Sequence, residues 1–343
     1  MSLSIIGIIL DLNDSHTLSL GDNHTIYQMN TDNIKDRMLG CLYGQAIGDA
    51  LGLGSEFMSK DEVVRHYPDG LKAYSQIIQD AHRHRWVKGA WTDDTDMMIC
   101  IMTAFENGHF NFHKIAQHFK DWFEGEPMGI GSHTYKVLCM EDYVEQPEMC
   151  SKLWWKLSRK QSAANGALMR TSVVGLAQDN IWRQAETICK LTHYDPRCIG
   201  SCVIASLIIH NLVWKKRQLA CDEIKAVGRR YDERIVEWID LSYQSADISM
   251  LDLDESTSIG YTLRTLAAAL WCYFHAPSFE SGLLSVVNEG GDADTNAAVS
   301  CAILGAKFGY DSIPSYYVEN LYNESFYHEK VNLFIGKVLY EQE

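Results

Sequence analysis

Positive charge is in short supply in this chain. Its 343 residues carry 30 Lys and Arg against 45 Asp and Glu, a formal net charge of −15. A duplex nucleic-acid binder needs a Lys/Arg footprint to displace counterions, so that class is disfavoured and any nucleotide handled is a small ligand. The 10 cysteines include no Cys-x-x-Cys pair and give no zinc framework. They fall in apolar runs, with Cys198 and Cys202 one helical turn apart, and read as reduced, buried side chains of a cytoplasmic protein. No Pro-, Gly- or Ser-rich linker divides the chain, so one large core is the simpler organisation. A membrane-spanning run is lacking too. The longest uncharged stretch, Cys198 to Trp214, is interrupted by Ser201, Ser206, His210 and Asn211 and falls short of the roughly 20 apolar residues a spanning helix needs. It predicts a central core helix. The apolar start, Met1 to Leu10, has no positive flank and runs into Asp11, which does not fit a secretory signal. No fixed-period repeat is visible, which disfavours a solenoid.

What is present is helical periodicity from about Asp32 onward. Asp32 is a candidate cap for a helix through Ile34, Met38, Leu42, Ala46 and Ala50, on which Gly40, Gly44, Gly48 and Gly52 recur every fourth residue. A helix-interior glycine costs about 1 kcal/mol relative to alanine. The stripe therefore implies close approach: of another helix at Gly40 and Gly44, of a ligand at Gly48 and Asp49. Further helices are predicted over 93–108, 112–124, 167–177, 181–193, 196–215, 221–244, 260–275, 279–289, 294–307, 314–322 and 326–341. The long connections between Met58 and Trp91 and between Phe123 and Ala167 are candidate walls of a site. Residues 1–33 differ: short β-type runs at Ser4–Leu10, His16–Leu20 and His24–Met29, with turn residues between them and no Lys or Arg, read as an acidic β-type appendage on a helical domain spanning 34–343.

Two acidic clusters carry the chemistry, Thr92-Asp93-Asp94-Thr95-Asp96 and Asp292-Ala293-Asp294-Thr295-Asn296, the second preceded by Gly290-Gly291. Each opens a helical stretch. A helix N-terminus is satisfied by one capping side chain and an acid three residues on. These clusters offer more oxygen than that. Together with Glu56 they supply carboxylates from three segments, an environment suited to Mg²⁺ or Mn²⁺.

Read in order, Gly48-Asp49-Ala50-Leu51-Gly52, Glu56-Phe57, Trp91 to Thr95, Asn165-Gly166-Ala167-Leu168-Met169-Arg170, Thr192-His193 and Gly290 to Asn296 resemble the ADP-ribosylglycohydrolase family over about residues 34 to 340. The resemblance implies an all-α, compact orthogonal multi-helix domain with two divalent cations, Mg²⁺ or Mn²⁺, at the bottom of an ADP-ribose cleft. By motif position Thr92, Asp93 and Asp94 serve one cation, Asp292 and Thr295 the other, with Asp294 reaching both and Glu56 joining the second. Glu56, Asp94 and Asp294 are the candidate catalytic groups, with Glu56 or Asp94 taking a proton from the water that attacks ribose C1″. The small-residue loops Gly129-Ile130-Gly131-Ser132 and Ser162 to Gly166 are candidates for facing a diphosphate. The resemblance makes Gly131, Ser132, Asn165 and His193 ligand contacts alongside Gly48 and Asp49. Arg170 reads as structural. The implied substrate is an ADP-ribosylated protein, with arginine as the acceptor, or serine or another oxygen acceptor. Some members of the family oppose an ADP-ribosyltransferase toxin, and residues 1–33 are a candidate arm for docking one. One departure bears on the acceptor: Met128-Gly129 stand before Ile130-Gly131, where arginine-specific members carry an acid, and only Glu124 and Glu126 lie nearby.

Overall fold

The computed structural model describes the backbone of residues 20–340 and the side chains of residues 31–340. Along the chain run α1 (Leu20–Gly52), α2 (Lys60–His66), α3 (Asp93–Thr103), β1 (Phe105–Glu106), β2 (His109–Phe110), α4 (Phe112–Glu124), α5 (Ser132–Leu138), α6 (Pro147–Leu157), α7 (Ile181–Lys190) and α8 (Pro196–Trp214). There follow α9 (Cys221–Gly228), α10 (Glu233–Gln244), α11 (Thr262–His275), α12 (Phe279–Val287), α13 (Ala293–Phe308), α14 (Ser315–Glu319) and α15 (Glu324–Tyr340). The all-α expectation holds. The β1–β2 hairpin is the one sheet among the described residues.

The glycine stripe decides how the centre is built. A Cβ on Gly40 would lie 2.4 Å from the Gly305 carbonyl oxygen, on Gly44 2.2 Å from that of Cys301, on Gly48 2.2 Å from that of Ala297, and on Gly52 2.4 Å from that of Ala293. Partner numbers fall by four as the stripe numbers rise by four, so α1 and α13 run antiparallel, backbone against backbone. That brings the end of α1 beside the start of α13, where the second acidic cluster lies. Gly48 is therefore a packing residue in contact with Ala297, which corrects its expected place in a ligand site.

α8 is long and apolar enough to cross a membrane by length and composition alone, yet 78% of that stretch is buried within the fold. It packs against α7, α11 and α13. Asp195 caps it, accepting from the Arg197 amide, with Pro196 opening the first turn.

Several boundaries differ from the sequence expectation. Residues 24–29 belong to α1, which begins at Leu20 rather than Asp32. Two or three apolar residues in alternation fit a helix as well as a strand, and no Gly or Pro breaks the run. The runs at Ser4–Leu10 and, but for Leu20, His16–Leu20 lie outside the described residues, as does most of the proposed toxin-docking arm. The helix expected over 93–108 stops at Thr103, because Asn107 (φ 49°) and Gly108 (φ 77°) form the tight turn between β1 and β2. The stretch 221–244 is two helices, the second capped by Asp232, and 167–177 folds as two 3₁₀ turns. The long connections hold helices of their own: α2 in the first, α5 and α6 in the second.

Candidate active site

Three segments meet at the end of α1. Asp49, fully buried there, accepts from the Thr92 amide (3.0 Å), the Thr92 hydroxyl (2.9 Å), the Thr95 amide (3.1 Å) and the Thr95 hydroxyl (2.6 Å). Asp49 thus does for α3 what an N-cap does, from another helix. The Gln45 amide donates to the Met169 carbonyl at 2.9 Å and so ties α1 to the loop that carries Asn165 and Gly166. The start of α3 and the start of α13 then touch directly: the Thr295 hydroxyl donates to Asp94 Oδ2 at 3.3 Å, across 201 residues of chain.

Glu56 arrives on the turn after α1. That turn is strapped to the second cluster, the Phe57 amide donating to the Gly291 carbonyl (2.6 Å) and the Gly291 amide to that of Met58 (2.8 Å). Gly291 sits at φ 67° with the space of its missing Cβ taken by the Leu253 carbonyl oxygen, 2.0 Å away. A side chain there would collide with the backbone of Leu253 and Asp254. As built, one carboxylate oxygen each from Glu56, Asp292 and Asp294 lie within 4.8 Å of one another.

The electrostatics of this floor are adverse in the absence of a cation. Burial, with Glu56 beside it, pushes the Asp93 carboxyl up to about 6. Burial and then Glu56 push Asp292 up to about 7, against the Asn165 amide, which donates to its Oδ2 at 2.5 Å. Asp94 and Asp294 are held well above the ordinary carboxylate range, by burial first and then by neighbouring acids. Asp94 Oδ1 and Asp294 Oδ1 are buried with no hydrogen-bond partner. Among the described residues no Lys or Arg forms an ion pair with any of these acids, and His82 beside Glu56 is their one basic neighbour. Buried charge is retained where it is paired or bound to metal. Orphaned carboxylate oxygens with threonine hydroxyls between them are a hard, all-oxygen donor set that fits Mg²⁺ or Mn²⁺.

Above the floor opens a cavity of about 610 Å³. All seven residues expected at the metals reach its lining: Glu56, Thr92, Asp93, Asp94, Asp292, Asp294 and Thr295. So do Gly131, Ser132 and Asn165 from the two small-residue loops. Three expected ligand contacts do not. Gly48 faces α13, and Asp49 is used up by α3, its carboxyl pushed to about 7 by burial against the lowering effect of Thr95 and Thr92. His193 lies one layer too deep, fully buried and stacked flat on His133 at 4.0 Å between ring centres. His133 is the ring that lines the cavity. Its Nε2 faces the Thr192 carbonyl (3.0 Å) and must donate, which leaves Nδ1 to accept from the Ser162 hydroxyl at 2.6 Å. Arg170 is structural as expected: fully buried, it lies over the Phe119 ring at 4.4 Å and donates to the Thr192 hydroxyl at 2.5 Å.

A family model described as ADP-ribosylglycohydrolase matches residues 30–342. The chain belongs to the ADP-ribosylglycohydrolase family. It is 27% identical over 303 residues to the ADP-ribosyl-[dinitrogen reductase] glycohydrolase of Rhodospirillum rubrum, covering 85% of this chain and 92% of that protein. It is 25% identical over 300 residues to the ADP-ribosylarginine hydrolase Tri1 of Serratia proteamaculans, covering 83% and 75%. The ADP-ribosylhydrolase ARH3 of Gallus gallus is 22% identical over 325 residues, 81% of this chain and 87% of its own. A solved structure titled ADP-ribosylglycohydrolase-related protein complex superposes with a TM-score of 0.69 at 24% identity, covering 90% of this chain and 99% of that one, and shares the fold.

In this member of the family the mouth is formed by Phe57, already part of the Glu56-Phe57 motif, and Met128, together with residues that sequence reasoning did not single out: His82, Arg85, Trp86 and Pro127. The signals for them were the cluster His82-Arg83-His84-Arg85-Trp86 in the first connection marked as a wall and the place of Pro127 in the second. Arg85 is the one Lys or Arg of the cavity lining. Glu124 and Glu126 are exposed and do not line it, Glu124 pairing with Lys120 at 3.5 Å.

Proposed function

We propose that the protein removes ADP-ribose from modified protein side chains by hydrolysis that depends on two divalent cations, Mg²⁺ or Mn²⁺. The observation that carries this is the convergence of Glu56, Asp93, Asp94, Asp292 and Asp294 on one cavity floor, two of their buried oxygens without partners. Thr92, Asp93 and Asp94 would hold one cation, Asp292, Thr295 and Glu56 the other, with Asp294 between. The cations supply Lewis-acid charge that gathers oxygen ligands and favours ionisation of water at neutral pH. The residues do the rest. The acidic floor favours the oxocarbenium-like charge that develops at ribose C1″ as the glycosidic bond opens. Glu56 or Asp94 takes the proton of the attacking water. Asn165, anchored by its amide to Asp292 and to the Thr265 hydroxyl at 2.9 Å, holds its loop at the floor, while Gly131 and Ser132 offer small-residue backbone to the diphosphate.

For the acceptor, the name of the Serratia relative, an ADP-ribosylarginine hydrolase, supports arginine. The mouth supports a second reading. A guanidinium leaving group wants a carboxylate in bidentate reach, and Met128 and Arg85 stand there instead. An oxygen-linked acceptor such as serine has no such need. All 10 cysteines are free, which agrees with a reducing compartment such as the cytoplasm. Incubation with arginine-linked and serine-linked ADP-ribosylated proteins, in Mg²⁺, in Mn²⁺ and in chelator, tests both readings. Release that requires the cation is expected, and the substrate that turns over names the acceptor. Release undiminished by chelator, or none under any condition, would remove the proposal.

A further inference from the structure

Glu56 is gripped from one short segment at two points, its carbonyl by Arg83 and its carboxylate by His82. Arg83, almost fully buried, donates from Nε to the carbonyls of Leu53 (3.0 Å) and Gly54 (2.9 Å) and from a terminal nitrogen to the carbonyl of Glu56 itself. It is held in turn by Asp80. That fixes the backbone beneath Glu56. The side chain is fixed separately: His82 Nε2 lies 2.6 Å from Glu56 Oε2. On the other edge of the ring, Arg85 places a terminal guanidinium nitrogen 2.8 Å from His82 Nδ1.

This arrangement selects one form of the imidazole. A guanidinium can only donate, so Nδ1 must accept, and the ring proton is on Nε2, pointing at the carboxylate. Arg85 is itself immobilised. It donates to the His82 carbonyl (3.0 Å) and to the Met128 carbonyl (3.1 Å), and its guanidinium lies 4.4 Å over the Trp86 ring. The imidazole is flanked by Phe57 and Trp86 at 5.2 and 5.4 Å between ring centres. Phe57 sits at φ 60°, a backbone conformation costly for an aromatic residue, and keeps it through the strap to Gly291.

We propose that His82, with its tautomer set by Arg85, is a positioning residue that orients the Glu56 carboxylate toward Asp292 and Asp294, and that the pair thereby raises the affinity of this site for a divalent cation. The inference rests on the reading of Glu56 as a cation ligand. A carboxylate already oriented by a fixed donor loses less freedom on binding, and second partners of metal ligands are typically worth about 10–100-fold in affinity. Arg85 then acts at two removes: without it the ring is free to take the other tautomer and present a bare nitrogen lone pair to Glu56.

Mn²⁺ alone, titrated by calorimetry into the full-length protein without substrate, tests the inference. Wild type, His82→Ala, His82→Gln and Arg85→Ala are compared, with circular dichroism melts to establish folding. His82→Ala should bind Mn²⁺ about tenfold or more weakly, Arg85→Ala should fall between it and wild type, and His82→Gln, whose amide nitrogen can still donate to Oε2, should recover most of the loss. If His82→Ala binds within twofold of wild type, or if His82→Gln falls as far as His82→Ala, the positioning role is overturned while the site stands. Wild-type protein that takes up no Mn²⁺ overturns the metal reading and this inference with it.

Discussion

Neutralising Asp294 should make the metal-free protein more stable and the metal-loaded protein worse. Glu56 and Asp292 each offer an oxygen within 4.8 Å of Asp294. Two full charges at that separation repel by about 3.5 kcal/mol at an effective dielectric of about 20. The acids relieve part of this by holding protons, in keeping with an Asp294 carboxyl raised by burial first and then by Glu56 and Asp292. Asp294→Asn keeps the shape, removes one charge and sets an amide donor among the carboxylate oxygens of Glu56 and Asp292. A net gain of about 1–3 kcal/mol is expected in chelator, seen as a rise of about 2–6 °C in melting temperature. With Mn²⁺ the order should reverse. Wild type gains about 2.7 kcal/mol at a cation concentration 100 times its dissociation constant, whereas the variant should gain little and hydrolyse no ADP-ribose linkage. Thermal melts of both proteins in chelator and in Mn²⁺ decide the matter. If Asp294→Asn melts below wild type in chelator, the floor is not a repulsive cluster, and if Mn²⁺ still raises its melting temperature as much as that of wild type, Asp294 is no ligand.

The same charges predict a pH dependence: Asp93 and Asp292 titrate near 6 and 7 in the fold, against about 4 in the unfolded chain. The native state thus binds more protons between those values, so their contribution is fully present below about pH 4 and is lost as pH rises through 7. Melting in chelator should be lower at pH 8 than at pH 5.5, with saturating Mn²⁺ narrowing the gap, since cation binding displaces those protons; a flat profile in chelator would refute this. Gly44→Ala would ordinarily stabilise a helix by about 1 kcal/mol, but its Cβ would meet the Cys301 carbonyl oxygen at 2.2 Å. Overpacking should win with a net loss of about 2 kcal/mol or more in urea unfolding, and a neutral variant would mean that α1 and α13 can separate. Asp49→Asn leaves one oxygen for donors on Thr92 and Thr95 that now share two. Each orphaned donor costs about 1–3 kcal/mol, so both the melting temperature and Mn²⁺ affinity should fall, although Asp49 itself does not line the cavity; unchanged Mn²⁺ affinity would show that the start of α3 needs no such anchor.

Local chemistry was readable from the chain because it is local in origin. An excess of carboxylate at two helix starts is visible in five consecutive residues, and so is the capping geometry that exposes it, which is why Asp93, Asp94, Asp292 and Asp294 could be named before any fold was known. The length and apolar character of α8 likewise announced a core helix. The ordered motifs, read as a family resemblance, carried Glu56 and the small-residue loops to the same cavity. The Asn107-Gly108 turn was also there to be read, yet helical periodicity on its N-terminal side masked it.

What only the tertiary structure decided is the direction in which side chains are used. Gly48 and Asp49 stand beside the site in sequence, but the antiparallel backbone contact of α1 with α13 claims the glycine, and the unsatisfied start of α3 claims the carboxylate. His193 and His133 are equally plausible as single residues, and a stack one ring deep put the second in the cavity and the first behind it. His82 and Arg85 carry no recognisable motif, and their meaning exists only because a distant turn sets them against Glu56. Composition and spacing determine which groups demand partners. Which partner answers depends on contacts between segments far apart in the chain, and those are settled by packing.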